Sequence, residues 1–375
     1  MSEAVPASAA WRPGDDPGNR QFVTLPGPVA LEAGGELPSV TVAYETWGDL
    51  APDGGNAVLV LHALTGDSHA SGPAGAGHHQ PGWWDGMIAP GAPLDTERFF
   101  VVCPNVLGGC QGTTGPASAA PDGRAFGARF PRITIRDQVA VEIGLADAIG
   151  VPRWHSIVGG SMGGMRVLEW TVSAPERVER AIVISVGAHA TAEQIGLCSV
   201  QIRAIRADPK WRGGDYYDAP PDDGPHIGMG IARAIGQIGY RSELELHERF
   251  GRAHQHGEQP FADGRYAVES YLEHHGDRLA RRFDANTYIT LSDAMNHHDV
   301  GRDRGGIASA LSRVIAATTV AGMSSDRLYP LRLQHELAAL LPGASRVEVV
   351  DTIRGHDGFL VETDAVGDII RRAVE

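Results

Sequence analysis

The sequence is poor in lysine, in cysteine and in long hydrophobic runs, and each shortage excludes a class of protein. Lys210 is the only lysine among 375 residues, which argues against lysine chemistry such as a Schiff base. The three cysteines are an odd number without C-x-x-C spacing, so neither a disulfide framework nor a zinc ribbon is indicated. No apolar run approaches the ~18 residues of a membrane-spanning helix.

Basic residues are also in deficit, with 32 Lys and Arg against 46 Asp and Glu and a net charge of -14. An acidic surface does not attract nucleic acid or an anionic membrane, so we expect neither as a partner. Residues 1–20 are small and polar, without the basic and apolar regions of a signal peptide, and we expect a disordered lead-in there. Together with the unpaired cysteines, this predicts a cytoplasmic protein.

Apolar runs typical of strands alternate with helical patterns along most of the chain. Residues 21–47 predict an antiparallel pair at a sheet edge. Buried strands are predicted at 56–64, 99–105, 155–160, 181–187, 313–322 and 345–351. Helices are predicted at 139–150, 162–174, 329–343 and 359–375. This alternation favours an α/β fold, a mostly parallel sheet with helices on both faces.

Between residues 188 and 305 the pattern changes, because no buried-strand run occurs and most segments are helical. We therefore predict a core made of residues 21–187 and 306–375, with residues 188–305 inserted as a helical lid. A lid inserted between the sixth and seventh main strands would cover the carboxyl edge of the sheet.

The short stretch GGSMG, residues 159–163, matches the nucleophile-elbow pattern G-x-S-x-G around Ser161. With 48 glycines in the chain, one such match is weak evidence, and the alternative is a glycine-rich turn with an unreactive serine. The context strengthens it, since a predicted strand precedes Ser161 and a predicted helix follows. The first N–H groups of that helix are free, so the N–H of Met162 is a candidate to stabilise an oxyanion.

A catalytic serine needs a base and an acid that orients the base, in the chain order Ser, Asp/Glu, His for this elbow. Asp326 follows one late predicted strand, and His356 lies in the loop after the last one. Both therefore lie at the carboxyl edge that carries Ser161. The alternative for His356 alone is a surface-loop histidine, since the chain has 16.

A second oxyanion donor is expected in the loop after the first long buried strand, where the N–H of Leu64 is the candidate; an ordinary turn is the alternative. These residues predict a serine enzyme of acyl transfer. They leave esterase, peptidase, thioesterase and acyltransferase open, because all four use the same groups.

Several longer stretches resemble the homoserine O-acetyltransferase family, enzymes of methionine biosynthesis with the α/β-hydrolase fold. They are VAYETWG, HALTGDSH, PNVLGGCQGTTGP, GGSMGGM, YRSE, FDANTYITLSDAMNHHDV, SSDRLYP and GHDGFL. The resemblance runs from about residue 20 to residue 370. PNVLGGCQGTTGP and FDANTYITLSDAM are much more specific than the elbow, because a generic hydrolase has no reason to carry them.

The resemblance implies a role for individual residues. Ser161, Asp326 and His356 would be the catalytic triad. Arg233 would bind the carboxylate of homoserine and Asp357 its ammonium group, which suits an acceptor with one anionic and one cationic end. Without the resemblance, Arg233 would be interpreted as a solvated helix charge and Asp357 as a loop acid.

The implied reaction moves the acetyl group of acetyl-CoA to the hydroxyl of L-homoserine through an acetyl-serine enzyme. Acetyl-CoA would be a co-substrate, with no cofactor or metal, and the protein would be a homodimer associating through the lid. The residues leave alternatives open: a succinyl donor, serine as acceptor, a serine esterase, or a non-catalytic binding protein on the same fold.

Overall fold

The computed structural model describes residues 4–344 and 346–375. At its centre lies a sheet of eight strands. In chain order they are β1 (Gln21–Leu25), β2 (Val40–Trp47), β3 (Ala57–Leu61), β4 (Phe100–Pro104), β5 (Trp154–Gly160), β6 (Val178–Ile184), β7 (Ala317–Met323) and β8 (Val347–Val350). Two small two-stranded sheets pair Val29–Ala30 with Glu36–Leu37 and Ile88–Ala89 with Leu94–Asp95.

The helices are α1 (Ile135–Ala148), α2 (Met162–Ser173), α3 (Ala192–Ala207), α4 (His226–Tyr240), α5 (Glu243–Phe250), α6 (Ala267–Ala280), α7 (Ala285–Asn296), α8 (Ile307–Leu311), α9 (Leu331–Leu340), α10 (Gly358–Val361) and α11 (Thr363–Val374). Short 3₁₀ helices span Gly127–Arg129, Pro175–Arg177, Pro209–Gly214, Pro260–Ala262 and Gly355–Asp357. The predicted closing helix is thus interrupted at Glu362, which separates α10 from α11.

In space, the strand order is β1-β2-β4-β3-β5-β6-β7-β8. β1 runs antiparallel to β2, and β2 runs antiparallel to β4, while every pair from β4 to β8 is parallel. The expected antiparallel pair at a sheet edge is therefore confirmed, and so is the α/β class. Because the parallel strands point the same way, the loops that follow them meet at one edge.

Alternate residues of the central strands pack on opposite faces of the sheet. In β3, Val58 and Val60 belong to one hydrophobic cluster, while Leu59 and Leu61 belong to the other. All four side chains are buried, because helices cover both faces. This explains why the strand is a continuous apolar run and does not alternate with polar residues.

The segment predicted as a lid, residues 188–305, contains α3 to α7 and contributes no strand to the central sheet in its described residues. Its helices α4 and α6 pack so closely that a Cβ on Gly276 would lie 2.8 Å from the Cα of Gly230. Several of its side chains face a cavity at the carboxyl edge of the sheet, together with Ser161. The segment therefore covers the edge where the predicted catalytic residues meet.

The prediction of a disordered lead-in at residues 1–20 is wrong for its described part, residues 4–20. The N–H of Trp11 donates to the carbonyl of Cys110 (2.9 Å), and the Ser8 hydroxyl donates to Asp284 (2.8 Å). Ala7 and Ala10 are buried. These partners lie far away in the chain, so the local composition could not reveal them. Residues 1–3 lie outside the described residues.

Across residues 4–344 and 346–375, every helix is too short or too polar to cross a membrane.

Candidate active site

Ser161 lies in a sharp turn between β5 and α2, with φ 57° and ψ -124°. A non-glycine residue in this left-handed region is strained, which is typical of a nucleophile elbow. The flanking glycines are required by close approach, since a Cβ on Gly163 would lie 2.0 Å from the carbonyl oxygen of Leu61. A Cβ on Gly159 would lie 2.6 Å from the backbone of Gly163. The turn therefore presents the serine side chain at the edge of the sheet.

The predicted acid and base are in direct contact. Asp326 follows β7, and His356 lies in the 3₁₀ helix after β8. His356 Nδ1 is 2.7 Å from Asp326 Oδ2. The carboxylate can only accept, so Nδ1 carries the proton and Nε2 is left as the basic nitrogen. Both side chains are buried.

Asp326 is itself fixed by the backbone. Its Oδ1 accepts hydrogen bonds from the N–H groups of Leu328 (2.9 Å) and Tyr329 (2.8 Å). These two bonds leave Oδ2 facing His356. The orientation of the carboxylate, and through it that of the imidazole, is therefore set by the loop after β7.

Burial opposes the charged form of His356, but the carboxylates of Asp326 and Asp357 outweigh burial and raise its pKa above 6.5. A base with a pKa raised toward neutrality is suited to take a proton from a hydroxyl and return it. The ring of His356 also stacks on Tyr329, with centroids 5.0 Å apart.

Ser161 and His356 line the same cavity. The hydrogen bonds among the described residues include the one between His356 and Asp326, and none between Ser161 Oγ and His356 Nε2. Catalytic hydrogen bonds of this kind often tighten only when substrate binds. The structure thus brings Ser161, Asp326 and His356 together at one edge, with the acid–base pair already formed.

The two predicted oxyanion donors are Met162, which follows Ser161 in the chain, and Leu64, which lines the same cavity as Ser161. Met162 is the first residue of α2, so its N–H has no partner within the helix. Leu64 is in the turn after β3 and lines the cavity. Met162 is not among the residues that line the cavity, although Ser161 before it is.

The turn that carries Leu64 is held by a buried network. Arg166 of α2 pairs with Glu142 (2.6 Å) and donates to the carbonyl of His62. His62 Nε2 accepts from the N–H of Val106 (3.0 Å). Burial, with Arg166 beside it, lowers the pKa of His62 to about 3, so this histidine is neutral and structural.

The cavity has a volume of about 260 Å³ and extends from Ser161 to the lid. Arg233 and Asp357, the two residues predicted to bind the ends of an amino acid, both line it. The guanidinium of Arg233 lies over the ring of Tyr240, 5.4 Å from its centroid. These two residues therefore offer a cation and a carboxylate to a bound molecule, and Arg20, Arg282 and Asp67 add further charges to the cavity wall.

Asp357 is not a free loop acid, because Arg241 lies beside it. Arg241 Nη2 is 3.2 Å from Asp357 Oδ2, and Arg241 also pairs with Glu245 (3.0 Å). This partner was not predicted from the sequence. YRSE contributes only to the family resemblance, and nothing in the sequence shows that residue 241 approaches residue 357.

Sequence reasoning also missed Arg282, which lines the cavity and donates to the carbonyl of Thr65 (2.8 Å). Thr65 follows Leu64, so this bond ties the lid to the predicted oxyanion loop. The only signal in the sequence was position, since Arg282 directly precedes the specific stretch FDANTYITLSDAM.

One group of side chains among the described residues has the spacing of a metal site. Ligand atoms of Glu45, His69 and His78 lie within 4.8 Å of one another. Their hydrogen bonds account for the cluster: His69 Nδ1 is 2.9 Å from Glu45, and His78 Nε2 accepts from the N–H of Asn19 (3.2 Å). His78 Nε2, the nitrogen that lies 3.5 Å from Glu45 Oε1, is therefore already used as an acceptor. We interpret the cluster as a hydrogen-bonded wall of the cavity, which His69 and His78 line.

Comparison with known proteins shows the family to which the chain belongs. Residues 56–363 match the family model of the alpha/beta hydrolase fold. A homoserine O-acetyltransferase from Thermobifida fusca is 59% identical over 367 residues, which cover 98% of this chain and 97% of the relative.

Solved structures agree on the fold. Homoserine O-acetyltransferase from Bacillus anthracis superposes with a TM-score of 0.86 at 26% identity, covering 95% of this chain and 97% of that one. An acetylester hydrolase from Corynebacterium glutamicum superposes with a TM-score of 0.80 at 26% identity, covering 96% of each chain. The fold alone thus includes both transferases and hydrolases, whereas the relative with 59% sequence identity is a transferase. The chain belongs to the homoserine O-acetyltransferase family of α/β-hydrolase-fold enzymes.

Proposed function

We propose that this protein transfers the acetyl group of acetyl-CoA to the hydroxyl of L-homoserine, a step of methionine biosynthesis. One observation supports this most: a serine elbow and a His–Asp pair open into a cavity that also contains Arg233 and Asp357. A guanidinium and a carboxylate match the two charged ends of an amino acid. An esterase for simple acetyl esters would need neither.

The proposed mechanism has two half-reactions. His356 Nε2 accepts the proton of Ser161 Oγ, and the oxygen attacks the thioester carbonyl while the N–H groups of Leu64 and Met162 stabilise the oxyanion. CoA leaves with the proton from His356, and Ser161 is acetylated. His356 then deprotonates the homoserine hydroxyl, which attacks the ester, and Ser161 regains the proton as O-acetylhomoserine leaves.

Water competes with homoserine for the acetyl-serine, so the lid has a chemical role. Helices α3 and α4 contribute Gln194, Gln201 and Arg233 to the cavity wall. We infer that closure by these helices disfavours hydrolysis. Acetyl-CoA would be a co-substrate and no cofactor or metal would be needed, so activity should persist after dialysis against a chelator.

The test follows thiol release from acetyl-CoA and from succinyl-CoA, each with L-homoserine, with L-serine and without an amino acid. We expect rapid release only with acetyl-CoA and homoserine. Faster release from succinyl-CoA would show that succinyl-CoA is the donor, and faster release with serine would show that serine is the acceptor. Release that does not depend on the acceptor would show a hydrolase and contradict the proposal.

The pH dependence of the acylation step follows from His356. Only neutral His356 can accept the serine proton. Because its pKa is raised above 6.5, the histidine is mostly protonated, and therefore inactive as a base, at any pH below that pKa. We expect kcat/KM for acetyl-CoA to rise with pH to a plateau, with its midpoint above 6.5. Asp357→Asn should move the midpoint to lower pH, because one of the carboxylates that raise the pKa is lost. Asp368→Asn, at an exposed ion pair, is the control. A midpoint unchanged in Asp357→Asn would contradict the assignment.

We also propose that the protein is a homodimer associating through the lid. On α4, Ile227, Ile231 and Ile238 are 72%, 49% and 45% exposed, and their spacing places them on one helix face. Exposed apolar groups of this kind mark a contact surface.

We expect light scattering at micromolar concentration to give the mass of a dimer, and Ile231→Asp to shift it toward the monomer. Ile315→Asp, at an isoleucine that is 70% exposed and lies outside the lid, should leave the mass unchanged. A monomeric wild type would remove the proposal.

A cytoplasmic location is proposed as well. Cys103, Cys110 and Cys198 are all free thiols, which suits a reducing compartment.

A further inference from the structure

A second, smaller cavity lies beside the first and is lined almost entirely by cationic and polar groups. Its volume is about 190 Å³. It is lined by Gln80, Arg233, His275, Arg278, Leu279 and Arg282. Gln80, Arg233 and Arg282 line both cavities, so the two spaces meet at these three residues.

The three arginines form no ion pair in the described part of the chain, although the Asp67 carboxylate acts on Arg282 at longer range. None of Arg233, Arg278 and Arg282 has a carboxylate of a described residue within ion-pairing distance, although most arginines of this acidic protein do. Burial and the neighbouring Arg233 lower the pKa of Arg282 to about 10. Burial, with Arg233 and other cations nearby, lowers the pKa of His275 to about 4. An anion in this cavity would relieve the repulsion.

The fold holds the side chains of this second cavity together. Gly230 of α4 and Gly276 of α6 touch, because neither has a side chain. Arg233 follows Gly230 by about one turn, and His275 and Arg278 flank Gly276. Arg282 is fixed by its bond to the carbonyl of Thr65. The cluster is therefore built from two packed helices and an anchored arginine, with only Arg278 exposed to solvent.

We propose that this second cavity binds the phosphate groups of the acyl donor, with Arg278 and Arg282 as their ligands and Arg233 at the junction with the catalytic cavity. The proposal rests on the proposed function. An acyl-CoA carries its thioester at one end and several phosphate charges at the other. Guanidinium groups bind phosphate with paired hydrogen bonds. The single carboxylate of an amino acid needs only one arginine, so Arg278 and Arg282 are in excess for the acceptor.

The position of the second cavity agrees with the order of the thioester and the phosphate groups along the acyl donor. Ser161, where the thioester must react, lines only the catalytic cavity, and the solvent-exposed Arg278 lines only the second cavity. A net charge of -14 repels a polyanion at long range, so a local cluster of cations is needed to bind one.

The experiment compares acetyl-CoA with S-acetyl-pantetheine, which carries the same thioester without phosphates. For Arg278→Ala, we expect the ratio of kcat/KM for acetyl-CoA to that for S-acetyl-pantetheine to fall about tenfold, the effect of losing one charge-assisted hydrogen bond. Arg278→Lys should recover part of the ratio. Arg313→Ala removes an exposed arginine that lines neither cavity and should leave the ratio unchanged.

Calorimetric titration with CoA and with pantetheine gives a second readout that does not depend on turnover. We expect Arg278→Ala to weaken CoA binding relative to pantetheine by the same factor. Equal effects of Arg278→Ala and Arg313→Ala would overturn the proposal. So would a raised KM for homoserine with an unchanged KM for acetyl-CoA, because the cluster would then bind the acceptor. If the wild type shows no homoserine-dependent thiol release but CoA binding still depends on Arg278, the proposed function fails and the phosphate site stands.

Discussion

Ser161→Ala is expected to lower kcat for acetyl transfer by roughly 10⁴- to 10⁶-fold, the range found when a catalytic serine is removed. The reason is chemical, since without Oγ no acetyl-enzyme can form and the two half-reactions cannot be separated. Mass spectrometry after mixing with acetyl-CoA alone should show one added acetyl group in the wild type, and none in the variant.

The variant must also fold, or the loss of activity would mean little. Alanine keeps the Cβ of Ser161, so the strain at φ 57° is unchanged, and we expect a melting temperature close to that of the wild type. Ser309→Ala, at an exposed serine of α8, is the matched control and should retain full activity. An acetyl group found on another residue, or more than a tenth of the activity remaining in Ser161→Ala, would contradict the assignment.

The triad could be predicted from the sequence because of a rule about strands. Ser161, Asp326 and His356 each follow a strand of the parallel sheet, and the ends of parallel strands meet at one edge. Residues more than a hundred positions apart could therefore be placed near each other without coordinates. The sheet itself was predictable for the same reason, since its strands are continuous apolar runs.

Groups brought together by non-local packing could not be predicted. Arg241 approaches Asp357 because the C-terminal end of α4 lies against the 3₁₀ helix that carries His356, a contact with no sequence signature. Arg278 lies in none of the stretches that the sequence singled out, and only the packing of α4 on α6 places it beside Arg282 and Arg233.

The same limit explains the error at the N-terminus. Residues 4–20 have the composition of a disordered segment, yet Trp11 and Ser8 bond to residues 110 and 284. Small polar residues can be ordered through their backbone groups, and composition does not show where those groups find partners.

Asp326→Asn is expected to lower kcat by about 10⁴-fold, although the substitution hardly changes the size of the side chain. The N–H groups of Leu328 and Tyr329 can only donate, so the asparagine must turn its carbonyl oxygen toward them. Its NH₂ group then takes the place of Oδ2, 2.7 Å from His356 Nδ1. An amide N–H also only donates, so Nδ1 must accept and the ring proton moves to Nε2. In that tautomer His356 cannot take the proton of Ser161.

The measurement that separates this tautomer argument from a loss of stability is the proton NMR spectrum. The Nδ1 proton of His356 should give a low-field signal in the wild type, and the signal should be lost in Asp326→Asn. Asp351→Asn is the matched control, because Asp351 follows the next strand and accepts from Ser324 (2.9 Å) without lining the cavity. A fall in kcat of less than tenfold in Asp326→Asn, with the low-field signal retained, would contradict Asp326 as the residue that fixes the tautomer. A large fall in kcat together with an unchanged melting temperature would attribute the effect to the position of one proton.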